Sequence, residues 1–508
     1  MNEIILKKTL ISYYNETIKN KKYLLFFSIF LFIISITMVS SKNFSNPRFE
    51  IIIFLLVLFL GLFLINYYTK HIKELHKVAF IAVLCFGIFL VFITPIFDVP
   101  DEGEHFIRAE LVSQGELFPN HFPGQGFKTI QSFLVLFDDR GSTVFESNSD
   151  NQVINHSSVF FHSAFQQNPF FGYLAQAIGI FFAKIFDLNQ IWLLWLGRLF
   201  NLVLYSALIS IAVKKTPILK IPFIAVACLP LAVYQGASMS IDSMINGLAL
   251  LIIAYFFYMI KSKTNSLTKR ELAIFSFLCL ILGLCKLPYL AFIFLILIVP
   301  NDKFEFNKYY YGLISIVLVG VIGLIWSNHI AVPAINNSYR IDYIIANNVS
   351  STAQINNMIS HPRETILLLF NVTHYLPYIQ DLFVFSYAEN AYDSGLINGI
   401  YTMFFGAICF LYPYKNKISN KLRVFSFCIV LISFYGIFLS QYITWSPVGS
   451  SSISGIQARY FIPLLSLLPF VFGINNNVSR DKKIDLIIII ITFAFLGSGV
   501  LATAIKYY

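Results

Sequence analysis

Apolar runs of near bilayer-spanning length recur along almost the whole chain, and no other feature limits the fold as much. They fall at roughly 24–40, 50–68, 78–96, 192–213, 221–237, 243–260, 271–285, 287–300, 311–328, 394–413, 422–443, 457–473 and 483–503. A bilayer core about 30 Å thick needs about 20 apolar residues in an α-helix. Lipid offers the backbone no hydrogen bonds, so a spanning segment satisfies its own and is helical. The runs predict an all-α polytopic membrane protein with about 13 transmembrane helices. Composition agrees: 57% of the residues are hydrophobic and 12% charged, and the mean hydropathy is +0.71. Soluble domains carry about 25% charged residues. All six cysteines lie in or beside apolar runs, and they read as small hydrophobes rather than as disulfides or a metal site.

The net charge of +10 would suit nucleic acid, but its distribution excludes that reading. With the N-terminus in the cytoplasm, 24 of the 36 basic residues fall on short inside segments, the positive-inside bias of a multi-pass cell-membrane protein. Residues 24–40 lack a small-residue cleavage site and run at once into another span, so the first helix reads as a retained anchor. The longer connections face outward, at 97–191, 328–393 and 444–456. A chain that places its non-membrane residues on one side works there. The stretch 169–186 is apolar enough to span. A crossing there would put Lys214, Lys215 and Lys220 outside, so an interfacial or re-entrant helix is expected.

Three groups of residues could carry chemistry. Asp101, Glu102, Glu104 and His105 crowd the start of the first outer loop, with Arg108 one turn on. Asp101 and Glu104 have the spacing of a capping box, which leaves Glu102 and His105 unexplained. Asp242 is the only acid in the next outer turn, where a helix N-cap is the ordinary account. Arg198 lies inside a span, while Lys286 and Arg459 stand at outer span ends, against the charge trend. Snorkelling explains the latter two. An arginine within a span costs at least ~2.5–3.5 kcal/mol and marks function by default. Arginine and lysine at this depth suit a lipid-linked phosphate. His156, His162, His361 and His374 match no metal-ligand spacing.

The stretch Val99–Pro119 resembles the first outer loop of the GT-C class of integral membrane glycosyltransferases. The chain is closer still to a bacterial family of predicted membrane proteins of unknown function. The motifs that carry this resemblance are P-D-E-x-x-H-x-x-R at Pro100–Arg108 and G-R-L-x-N at Gly197–Asn201. Leu229-Pro230 followed by Asp242, K-x-P-Y at Lys286–Tyr289 and G-x-x-x-R-Y-x-x-P at Gly455–Pro463 complete the set. On this plan residues 1–77 hold two helices outside the resemblance, and 78–328 form a GT-C-like catalytic membrane module with outer loop 97–191. Residues 329–393 form a second large outer loop, and 394–508 the C-terminal helices. The family's usual stretch before the interfacial helix is altered here to Asn168-Pro169-Phe170-Phe171.

The resemblance implies a polyprenyl-phosphate-linked sugar donor and a cell-envelope glycan acceptor, meeting on the extracytoplasmic face of the bilayer. Asp101 then takes the place of the catalytic Asp, with Glu102 or Asp242 orienting the acceptor or holding a possible divalent cation. His105, Arg108, Arg198, Lys286, Arg459 and Tyr460 would bind substrate. A transporter or flippase of lipid-linked glycans, a polysaccharide polymerase and a non-catalytic scaffold are the competing expectations.

Overall fold

The computed structural model describes residues 2–39, 47–147, 149, 151–163, 165–336, 341–384, 395–413, 418–473 and 481–508. Helices α1 (Asn2–Val39), α2 (Arg48–Lys70) and α3 (Leu75–Ile93) lead into a loop region. That region carries α4 (Glu102–Ser113), β1 (Phe127–Ile130), α5 (Gln131–Asp138), β2 (Ser158–Phe161) and α6 (Leu174–Ile185). Next come α7 (Ile191–Lys215), α8 (Lys220–Ala227), α9 (Pro230–Gly236), α10 (Asp242–Lys261), α11 (Lys269–Cys285), α12 (Leu295–Ile298) and α13 (Lys308–Trp326). A second loop region contains α14 (Val332–Asn336), α15 (Ile341–Ala346), α16 (Ser351–Ser360), α17 (Pro362–Leu369) and α18 (Leu376–Asp381). The chain closes with α19 (Gly395–Leu411), α20 (Asn420–Thr444), α21 (Ile462–Leu465), α22 (Leu468–Phe472) and α23 (Lys482–Tyr507).

Among the described residues, eight helices are long and apolar enough to cross a bilayer, so the protein is an all-α multi-pass membrane protein. The runs at 221–237, 287–300 and 457–473, expected as spans, are interrupted. Proline is the cause. Pro230 opens α9 after a break at Cys228, Pro288 opens a 3-10 stretch, and Pro463 and Pro469 open α21 and α22. Each proline lacks the N–H that a continuing helix needs. Carbonyls at the Cys228 break and at the far ends of the other interrupted segments find side-chain donors, as membrane depth demands. Tyr205 Oη donates to Ala227 O at 3.0 Å, and Lys308 Nζ donates to Leu297 O at 2.9 Å and Val299 O at 2.7 Å. Arg423 donates through Nε to Val471 O and through Nη2 to Gly473 O, both at 2.7 Å.

Packing ranks the helices. The apolar windows of α10 and α23 are each 89% buried, while that of α13 is 11% buried and faces outward. The C-terminal α23 packs on α1, α2 and α3, and α7 packs on α3, α6 and α10. Between α6 and α7 the backbones nearly touch. A Cβ on Gly179 would sit 2.3 Å from Leu196 O, so a larger residue there must push the helices apart. The 12 residues of α6 rise only about 18 Å, short of a bilayer crossing. The first loop region also holds an antiparallel ribbon, from Phe127 opposite Phe161 to Ile130 opposite Ser158, which hydropathy did not indicate. Both loop regions and residues 445–457 meet at one end of the bundle, where Val448 N donates to Asn348 O at 3.1 Å.

Candidate functional site

The α7 motif Gly197-Arg198-x-x-Asn201 is the anvil of this end. Helix α3 stops before Pro95, leaving carbonyls unmet. Arg198, fully buried, fills them. Nη1 donates to Val91 O at 3.1 Å and Thr94 O at 2.8 Å, and Nη2 donates to Pro95 O at 2.8 Å. Its remaining donors form a two-point pair with Glu102, Nε to Oε1 at 2.8 Å and Nη2 to Oε2 at 2.6 Å. Glu102 Oε1 also accepts from Met239 N at 3.0 Å. Asn201 Nδ2 donates to Ser238 O at 2.7 Å and Ser240 O at 2.9 Å, and its Oδ1 accepts from Ser243 Oγ at 2.5 Å. A Cβ on Gly197 would meet Met239 Sδ at 2.5 Å, so glycine lets the turn approach. One helix face thus pins both acidic segments, the start of α4 and the turn into α10.

The two aspartates they carry converge on one arginine. Asp101 precedes α4 with φ +64°, and its side chain makes no helix-capping bond. The expected capping box is therefore not formed. A left-handed non-glycine residue is uncommon and gathers at functional sites. Asp101 Oδ2 instead accepts from Arg459 Nη2 at 2.8 Å. Asp242 is not the N-cap of α10 either; Ile241 holds that position, and Ser240 Oγ accepts from Asp242 N at 3.1 Å. Asp242 Oδ2 lies 3.2 Å from Arg459 Nε, an ionic contact without hydrogen-bond alignment. Arg459 Nη1 donates to Pro100 O at 3.2 Å and Gln235 Oε1 at 3.3 Å. Lys286 Nζ stands over the Tyr460 ring, and the Tyr289 hydroxyl donates to Tyr460 O. The K-x-P-Y and R-Y motifs are thereby locked together.

These groups line a cavity of about 260 Å³. Asp101, His105, Asp242, Lys286, Arg459 and Tyr460 border it; Glu102, Arg108 and Arg198 do not. Arg108 lies beyond, donating from Nε to Asn168 O at 3.1 Å and from Nη2 to Leu117 O at 2.9 Å. Burial pushes its guanidinium down to about 10, still cationic at neutral pH. Among the described residues, no group of three or more His, Cys, Asp or Glu side chains could hold a metal ion. Asn168, Tyr173 and Phe165 seat His105; the sequence marked Asn168 only as part of an altered stretch, and Tyr173 and Phe165 not at all. Their apolar surroundings hid them.

His105 Nδ1 is 2.7 Å from Tyr173 Oη, which accepts from Asn168 Nδ2 at 2.8 Å. Its Nε2 is 3.4 Å from Ser240 Oγ, and its ring stacks on Phe165 at 4.6 Å. The tyrosine hydroxyl donates to Nδ1, so the ring proton sits on Nε2. Burial, aided by Arg459, pushes the imidazole down to about 4, against attraction from Asp242 and Asp101. The unfolded chain, near 6.5, takes up a proton that the folded one refuses. Its contribution to stability is complete above that value and falls as the pH drops towards 4. Thermal melting between pH 7 and 5 is expected to fall less steeply for His105→Gln than for the wild type.

Residues 84–468 match a protein family described as "Predicted membrane protein (DUF2142)", and the chain belongs to it. No curated protein and no solved structure matches. The matched stretch contains every residue of the cavity described above.

Proposed function

We propose that this DUF2142 member is an inverting GT-C-like glycosyltransferase. It moves a sugar from a polyprenyl-phosphate donor to a cell-envelope glycan or polymer on the outer face of the cell membrane. The observation that carries the reading is the convergence of two carboxylates, a guanidinium and a lysine amine from four separate segments on one cavity. A lipid phosphate is already a good leaving group, so the protein must supply a base and receive negative charge. Asp101 takes the proton of the acceptor hydroxyl, whose oxygen bonds to the anomeric carbon. The bond from that carbon to the phosphate oxygen breaks, and the lipid phosphate leaves with the electron pair. Arg459 and Lys286 stabilise it, and Asp101 returns its proton to water. Asp101 is the better placed base, since its side chain is 24% exposed against 9% for Asp242. Asp242 orients Arg459. Glu102 and Arg198 position the acidic segments and touch no substrate.

The stereochemistry of the product tests the reading. One base and direct attack predict that the anomeric configuration of the transferred sugar, read by NMR, is opposite to that of the donor. Retention would require a covalent intermediate and overturn the assignment. Loss of the Lys286 amine, a hydrogen-bond donor to the charged phosphate, should weaken donor binding. A hydrogen bond to a charged group contributes about 1.5–3 kcal/mol, so Lys286→Met is expected to raise the donor KM by about 10–100-fold. An unchanged KM would remove Lys286 from the phosphate site.

A further inference from the structure

Helices α13 and α20 border a second hollow, far from the first. Both reach the cavity near their C-terminal ends, through Trp326 and Gln441. Their first turns border a groove instead, with Lys308 and Tyr309 from α13 and Lys421 and Leu422 from α20. The 19 residues of α13 rise about 28 Å, so the two hollows sit at opposite faces of a bilayer. The groove holds about 620 Å³, well inside the roughly 300–1,000 Å³ of small-molecule sites. Its walls are apolar, from Phe294 and Leu297 on one side to Phe425 and Ile432 on the other, and all four are exposed. The apolar window of α13 is only 11% buried, so the groove opens towards lipid tails and not into the bundle.

The charges at its polar end are all of one sign. Of the residues that line the groove, two are lysines and none is acidic. Among the described residues neither lysine has a carboxylate partner, whereas nearby Lys303 has Asp302 at 3.7 Å. Snorkelling accounts for a lysine that reaches water, but Lys308 is turned inward and 2% exposed. Two of its three N–H groups are met by the Leu297 and Val299 carbonyls. Carbonyls solvate the charge without cancelling it. Lys421 is exposed, with its Nζ 6.0 Å from the centre of the Phe425 ring. The helix starts themselves are capped by the Asn307 and Ser419 side chains, so the lysines carry the attraction for an anion. We infer that the groove binds one anionic phospholipid, its phosphate against Lys308 and Lys421 and an acyl chain along the apolar walls. Basic pockets between membrane helices take such headgroups. A soluble anion would leave the apolar walls uncovered, and a zwitterionic lipid would bring its own cation to the two lysines. The inference stands apart from the glycosyltransferase reading.

Cys428 reports occupancy, because it lines the groove and is the exposed cysteine of the six. The full chain, purified in detergent and stripped of lipid, is titrated with phosphatidylglycerol, phosphatidylcholine or inorganic phosphate. Alkylation of Cys428 is followed by peptide mass spectrometry. Phosphatidylglycerol is expected to protect the thiol at a lower mole fraction than phosphatidylcholine, and inorganic phosphate not at all. Lys421→Gln is expected to narrow that preference by about five-fold, the weight of one lysine at an anionic lipid surface. Lys421→Arg should keep it. Equal protection by the two lipids, no protection by either, or a preference unchanged in Lys421→Gln would overturn the proposal. Protection by inorganic phosphate alone would overturn it as well, and would make the groove a site for a soluble anion.

Discussion

Asparagine at position 101 is expected to slow sugar transfer by about 10²–10⁴-fold, the usual contribution of a general base, with little change in melting temperature. The substitution is unusually clean. Asparagine has the same shape as aspartate and tolerates the φ of +64° found at this residue. Its amide oxygen still accepts from Arg459 Nη2, now 2.8 Å from Asp101 Oδ2. What disappears is the ability to take a proton. The loss should fall on kcat, since an interaction made only in the transition state is removed. A rise in KM at constant kcat would instead make Asp101 a holder of Arg459.

The second large effect is structural. Arg198→Leu and Glu102→Leu should each destabilise the protein by about 3–5 kcal/mol, the cost of leaving one partner of a buried ion pair uncompensated. Arg198→Leu should be the worse, because Val91, Thr94 and Pro95 carbonyls also lose their donor. The double substitution should cost clearly less than the sum of the two, since neither charge is then stranded. Unfolding midpoints in detergent, measured as a double-mutant cycle, report both. Additive effects would show that the pair does not act as a unit.

Much of the fold could be read from hydropathy, and the reasons for the misses are local. Helices α2, α3, α7, α10, α20 and α23 are continuous apolar runs without an interior proline, and each is found where its run lies. The runs holding Pro230, Pro288, Pro463 and Pro469 have similar hydropathy, but an absent N–H interrupts them. The ribbon of Phe127–Ile130 and Ser158–Phe161 pairs residues across a loop, which a window along the chain does not register.

The candidate site divides in the same way. Clustering of Asp101, Glu102 and His105 and the odd placement of Arg198 and Arg459 were visible as residue types in unlikely surroundings. Their partners were not. Arg198 resembled a phosphate ligand because an intramembrane arginine demands an anion, and hydropathy does not say that Glu102 is that anion. Arg459 meets Asp101 across 358 residues of sequence, a pairing that only the packing of the helices creates.

The most direct measurement uses the purified protein in proteoliposomes, with a polyprenyl-phosphate donor labelled in its sugar and an envelope glycan acceptor. The label is expected to become covalently attached to the acceptor, with one lipid phosphate released for each sugar moved. Label that crosses the bilayer still joined to its lipid, with no phosphate released, would contradict the account and identify a translocator instead.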